Sequence, residues 1–196
     1  PEVVDEAIAT NCNLIVSFHP IIFKGLKSIT GKTYVERVVQ KAIKHDIAIF
    51  AIHTALDNAF EGVNAEICNR LNLINKSILM PQSGTVKKLT TFVPHTDAEM
   101  VRTALFEAGG GALGNYENCS FNSQGIGTFE GNSEAQPAIG KPNELKSVEE
   151  TRIDIVYAKH LESSILNALF QAHPYEEVAH ELFTLENKNH HIGMGM

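Results

Sequence analysis

Two stretches decide the fold: Asn13-Leu14-Ile15-Val16-Ser17-Phe18-His19-Pro20 and Ile47-Ala48-Ile49-Phe50-Ala51-Ile52-His53-Thr54-Ala55-Leu56-Asp57-Asn58. Each begins with a short run rich in β-branched residues and free of charge, which reads as a strand buried on both faces. Between them, Thr33 with Glu36 three residues on reads as a capping box. The helix it opens carries Val35, Val38, Val39, Ala42 and Ile43 on one face, as packing on a sheet requires. Strand–helix–strand makes the two strands parallel and the crossover right-handed. Both strands then end at residues with chemistry, and open α/β sheets take their ligands at strand carboxyl ends.

His19 and Asp57 are the candidate metal ligands, because a neutral imidazole and a carboxylate from neighbouring strand ends can share a divalent cation. The alternative is that His19 bonds a turn carbonyl and Asp57 caps a helix. His53 and Thr54 are candidates for orienting a ligand from behind, His53 also for a general acid, or for a strand-end histidine satisfied by its surroundings. Lys24 and Lys27 flank Gly25 in the next loop, where they either attract a phosphate or are merely solvated.

The string from Leu14 to Lys27, followed by Tyr34-Val35-Glu36-Arg37 and His53-Thr54-x-Leu56-Asp57-Asn58, resembles the dinuclear-metal-centre hexameric family. That family comprises the GTP cyclohydrolase I type 2 homologues, also called NGG-one-interacting factor three proteins. Its first motif usually has two consecutive histidines; Phe18 stands at the first position here, so only His19 carries over. Asp57 matches the metal-binding carboxylate. The resemblance implies a zinc, manganese or iron cofactor, a homohexamer, and a hydrolase or cyclohydrolase-like activity on a nucleotide-like small molecule. A metal-stabilised regulatory scaffold without catalysis is the competing reading. The resemblance also implies an additional N-terminal region and a second α/β half that supplies a further His and Glu. Both ends of the chain read as cut, with Pro1-Glu2-Val3-Val4 opening inside a helix and Gly193-Met194-Gly195-Met196 beginning a turn. The isolated chain is therefore expected to be inactive and to bind metal weakly.

The 196 residues could hold one large or two small domains, and 43% hydrophobic with 20% charged residues is ordinary for a globular protein. A net charge of −7 offers no footprint for nucleic acid. No run approaches the ~18 apolar residues of a membrane span, and no signal peptide is visible. Cys12, Cys68 and Cys119 lack a Cys-x-x-Cys pair, which predicts reduced thiols in a cytoplasm, two of them buried in helices. Beyond the first pair of strands, Val63, Ile67 and Leu71 predict a helix facing inward.

Gln82-Ser83-Gly84-Thr85 is the clearest linker, and divides a metal-site α/β half-domain (1–83, rejoined by 189–196) from a second domain (87–187). The second domain reads as a strand at 89–93 and a helix opened by a Thr96/Glu99 capping box and ended by Gly109-Gly110-Gly111. Strands follow at 116–122, 125–129 and 153–157, then a helix at 161–172 and a strand at 179–185. That order suits a ferredoxin-like α+β domain, similar to the family's inserted PII/CutA-like domain. The fold class is thus α/β, a parallel βαβ half-domain carrying a ferredoxin-like insert. The long loop 130–150 is a candidate contact for a ligand or a neighbouring subunit. His173-Pro174-Tyr175-Glu176-Glu177 is either a metal site or a structural turn at a subunit interface, and His190-His191 either a solvated return strand or a frayed end.

Overall fold

The computed structural model describes residues 1–196. The chain divides into two compact units, residues 1–81 with 190–196, and residues 82–189.

In the first unit α1 (Glu2–Ala9) leads into β1 (Leu14–Ser17), and α2 (Tyr34–Lys44) crosses over to β2 (Ala48–Ala51). The two strands pair in parallel, Leu14 opposite Ala48 through Ser17 opposite Ala51. Thr33 caps α2 as its sequence predicts, its hydroxyl accepting from the Glu36 backbone N–H at 3.2 Å. Glu36 does more than close a capping box. Its buried carboxylate accepts from the Thr30 hydroxyl and from the backbone N–H groups of Thr30 and Lys32. The Thr30 bonds foremost hold it below the usual carboxylate range.

Val4, Ala7, Val38, Ala42 and Ile47 form this unit's core, with Ile15 and Ile49 packed on it. The strands are not buried on both faces. Leu14, Val16 and Phe50 remain 52%, 60% and 58% exposed, because the sheet has two strands and its helices cover the side that Ile15 and Ile49 face. Ile43 at the end of α2 is exposed as well. After the short α3 (His53–Asn58), α4 (Val63–Arg70) buries Ala65 and Cys68, while Ile67 and Leu71 face outward. The inward face is thus rotated from the one its larger apolar residues predict. Cys12 lies exposed beyond α1 and Cys119 is half-buried, so one cysteine rather than two is buried in a helix. The chain leaves and rejoins this unit through β3 (Met80–Gln82) and β8 (Asn189–Met194), which pair and make His190-His191 part of a strand.

The second unit runs β4 (Val86–Pro94), α5 (Ala98–Glu107), β5 (Ser120–Phe129), β6 (Lys146–Ala158), α6 (Glu162–Ala172) and β7 (His180–Leu185). The sheet order β5-β6-β4-β7 is antiparallel throughout and is that of a ferredoxin-like βαββαβ domain. Both helices cover one face over Leu89, Val93, Val101, Leu105, Ile153, Ile155, Ile165 and Leu169.

Three expectations change here. Thr96 does not cap α5: its hydroxyl donates to Asp97, the residue at the cap position, and Glu99 pairs with Arg102. Two short strands at 116–122 and 125–129 are replaced by one continuous β5, paired with β6 from Ser120 opposite Ile155 to Phe129 opposite Lys146. Because β6 starts at Lys146, the intervening loop contracts to residues 130–145.

His173 follows α6 as its C-cap and is 6% exposed. Its Nδ1 accepts the Tyr175 backbone N–H at 3.1 Å, which fixes the ring proton on Nε2, donating to the Phe92 carbonyl at 3.0 Å. With both nitrogens engaged, this histidine is a structural pin and not a metal ligand. Burial is the main force lowering its pKa below 6.5, only partly opposed by the Phe92 carbonyl and by Glu150 and Asp97. A depressed folded value means the unfolded chain takes up the proton first, so the stabilisation is complete above pH ~6.5 and is lost as pH falls below it. We expect the melting temperature of this unit to fall on acidification from pH ~7 to ~5. His173→Asn keeps an acceptor for Tyr175 but cannot titrate, so it should show a shallower slope over that range. Equal slopes in the two proteins would refute the assignment.

Candidate metal centre

The sites of interest in the first unit lie where β1 and β2 end together. Beyond Ser17 and Ala51 the pairing continues, the Ile52 N–H donating to Ser17 at 2.9 Å and the His53 N–H to Phe18 at 2.8 Å. This brings His53 level with the Phe18-His19 pair. The ring centres of His19 and His53 stand 5.4 Å apart. Phe18 lies edge-on to both, at 4.9 and 5.8 Å, and Phe23 lies 6.3 Å from His53. The Ser17 hydroxyl closes the turn by donating to the His19 carbonyl at 2.9 Å.

His53 opens α3 with φ +32°, a backbone conformation that non-glycine residues adopt rarely and at a cost. Strain of this kind persists where surrounding contacts enforce it, and here the Phe18 carbonyl and the aromatic neighbours do so. Asp57 falls one helical turn after His53, inside α3 rather than at a cap, and its carbonyl accepts from the Asn64 side chain at 2.8 Å. Thr54 is exposed, its carbonyl taken by the Asn58 side chain. Sequence reading ranked His53 behind His19 and Asp57, but in space it is the imidazole adjacent to His19. The signal was present in the sequence: parallel pairing places residues just past two aligned strand ends side by side.

Two imidazoles bound to one tetrahedral cation at nitrogen distances of about 2.0–2.1 Å set their ring centres about 5 Å apart. The His19–His53 separation fits that value. Nitrogen and carboxylate donors together suit zinc, manganese or iron. No group of three or more His, Cys, Asp or Glu side chains is assembled to hold a metal ion, so the fit extends to a pair of imidazoles with a carboxylate one turn away.

The family model described as Duf34/NIF3 (NGG1p interacting factor 3) matches residues 1–182. The chain belongs to the Duf34/NIF3 family. Two curated members of similar sequence are each named GTP cyclohydrolase 1 type 2 homolog. The one from Halalkalibacterium halodurans is 42% identical over 194 residues, covering 98% of this chain and 52% of the relative. The one from Bacillus subtilis is 41% identical over the same length, with the same coverage. A solved structure of a Bacillus cereus protein related to NIF3 superposes with a TM-score of 0.74 at 42% identity, covering 98% of this chain and 51% of that one. The chain thus spans about half the length of the Duf34/NIF3 relatives it matches. No helix is long and apolar enough to cross a membrane.

Proposed function

We propose that this Duf34/NIF3 chain contributes a divalent-metal half-site, built from His19 and Asp57 with His53 beside them, to a hydrolase or cyclohydrolase-like protein. The observation that carries the reading is the His19–His53 pair, 5.4 Å apart at the joint carboxyl end of two parallel strands. A cation held there would supply a Lewis acid that makes water acidic near neutral pH. In this reading His19 and Asp57 bind, and His53, spaced to share the same cation, either joins them as a ligand or moves a proton. Phe18 lies edge-on to both imidazoles and Phe23 to His53, while His19 stays open to solvent and to an incoming ligand. The relatives' names point to a nucleotide-like substrate, and assembly as a homohexamer belongs to the same proposal. The second reading is that the metal stabilises an oligomeric scaffold without catalysis. A chelator separates the two: it abolishes turnover of a folded hydrolase, whereas it dissociates a scaffold.

Calorimetric titration of Zn²⁺ and Mn²⁺ into the chain tests the half-site. A site of two or three ligands holds a cation far less tightly than a complete one, so we expect a Kd of tens of micromolar or weaker, on the order of −6 kcal/mol. Asp57→Ala should remove that binding while changing stability by no more than about 0.5 kcal/mol, as for a residue outside the core. Equal affinity in the variant would remove Asp57 from the site. Loss of binding in His53→Ala with the fold intact would make His53 a ligand.

A further inference from the structure

The second unit contains a cavity of about 760 Å³ on the sheet face opposite its helices, between β5, the loop 130–145 and the His173–Glu177 turn. Cavities of roughly 300–1,000 Å³ are the size that small-molecule ligands fill. Glycine makes the room. Gly125 lies directly opposite Glu150 in the β5–β6 ladder, so both point to the same face, and Gly127 follows two residues on. A Cβ on Gly127 would stand 2.1 Å from Glu150 Oε2, whereas one on Gly125 would meet no atom within 4 Å. The glycines therefore admit the Glu150 side chain over β5 and leave open space beside it.

Glu150 is 9% exposed, yet it has a single hydrogen-bond partner, the Tyr175 hydroxyl donating to Oε1 at 2.9 Å. A carboxylate so enclosed ordinarily collects several donors or a counter-charge. Oε2 makes no hydrogen bond within the protein. The remaining charge on the lining is also acidic, Glu130, Glu176 and Glu177 against Arg152, and Arg152 is committed to Asp154 through Nε at 3.2 Å. The rest of the lining is largely apolar, with Phe92, Phe129 and Pro137 among it. The turn that sequence reading left undecided organises the cavity: His173 pins it to β4, and Tyr175 holds Glu150 and packs 5.8 Å from Phe129. Glu176 ties down the loop by accepting from the Gln136 backbone N–H at 2.8 Å.

We propose that this cavity is a binding site for a small organic cation, an amine or amidine on an apolar body, whose charged N–H groups donate to Glu150 while the body packs on Phe92, Phe129 and Pro137. The site lies within the second unit and does not depend on the metal half-site.

The probe is 2-phenylethylamine, with the neutral 2-phenylethanol for comparison, titrated into the chain and followed by the amide resonances of Gly125 and Gly127. A charge-assisted hydrogen bond favours the amine by about tenfold or more. We expect the amine to bind at least about tenfold more tightly than the alcohol. Glu150→Gln, which still accepts from Tyr175, should erase that difference, and Gly125→Leu, which grows into empty space, should abolish binding of both. Thermal unfolding verifies that each variant is folded; were Glu150→Gln not, Gly125→Leu alone decides. No saturable shift up to about 10 mM amine, equal affinity for amine and alcohol, or unchanged amine binding in Gly125→Leu each overturns the proposal.

Discussion

Replacing Leu105 with alanine should lower the melting temperature of the 82–189 unit by about 15 °C. Leu105 is fully buried in α5, in the cluster formed with Ile153 and Ile155 of the sheet and Ile165 and Leu169 of α6. Truncating a leucine in such a setting costs about 3 kcal/mol, the lost transfer energy plus the cavity left behind. For a unit of about 100 residues each kcal/mol moves the midpoint by about 4–8 °C. The same helix supplies a control. Met100 is 53% exposed, and Met100→Ala should move the midpoint by no more than about 4 °C. Calorimetry of the two variants checks the difference. Similar shifts would mean that α5 does not pack on the sheet through its Val101–Leu105 side.

The second large effect is expected at Gly62, the N-cap of α4. A Cβ there would stand 1.9 Å from the Leu56 carbonyl oxygen and 2.9 Å from that of Ala59. Both obstacles are backbone, so relief requires displacing the end of α3 and the turn that Gly62 itself closes by donating to Ala59 at 3.0 Å. Gly62→Ala should destabilise the first unit by about 3 kcal/mol or more, at the upper end of overpacking effects. It should also disturb Asp57, whose carbonyl is tied to Asn64 in the first turn of α4. Metal affinity is then expected to fall along with stability. Gly25→Ala, where the added carbon meets nothing within 4 Å, should change stability by no more than about 0.5 kcal/mol. Wild-type stability in Gly62→Ala would show that α3 and α4 do not approach this closely.

Packing of α5 and the α3–α4 approach are both invisible in a one-dimensional pattern. The β-branched runs, the Thr33–Glu36 cap and the crossover length were enough to give the parallel pairing of β1 and β2 and to bring two sequence-distant histidines into one neighbourhood. The alternation in β6 and the order of helices and strands around it likewise determined the ferredoxin-like topology. These features are local or follow from chirality and chain length, so the sequence carries them unaided.

What only the tertiary structure decided is which of several local options survives contact with distant residues. Periodicity says that residues share a helix face but not which face meets a neighbour, so α4 buries Ala65 and Cys68 in place of Ile67 and Leu71. Sequence reading breaks the strand at 123–124, yet β5 runs through because β6 supplies an unbroken ladder, and Glu150 takes the space that the missing side chain of Gly127 leaves. His173 reads as a possible ligand until the Phe92 carbonyl, 81 residues away, claims its second nitrogen. The strand faces expected to be buried stay open at Leu14, Val16 and Phe50, because burial depends on what packs against a strand and not on its own composition.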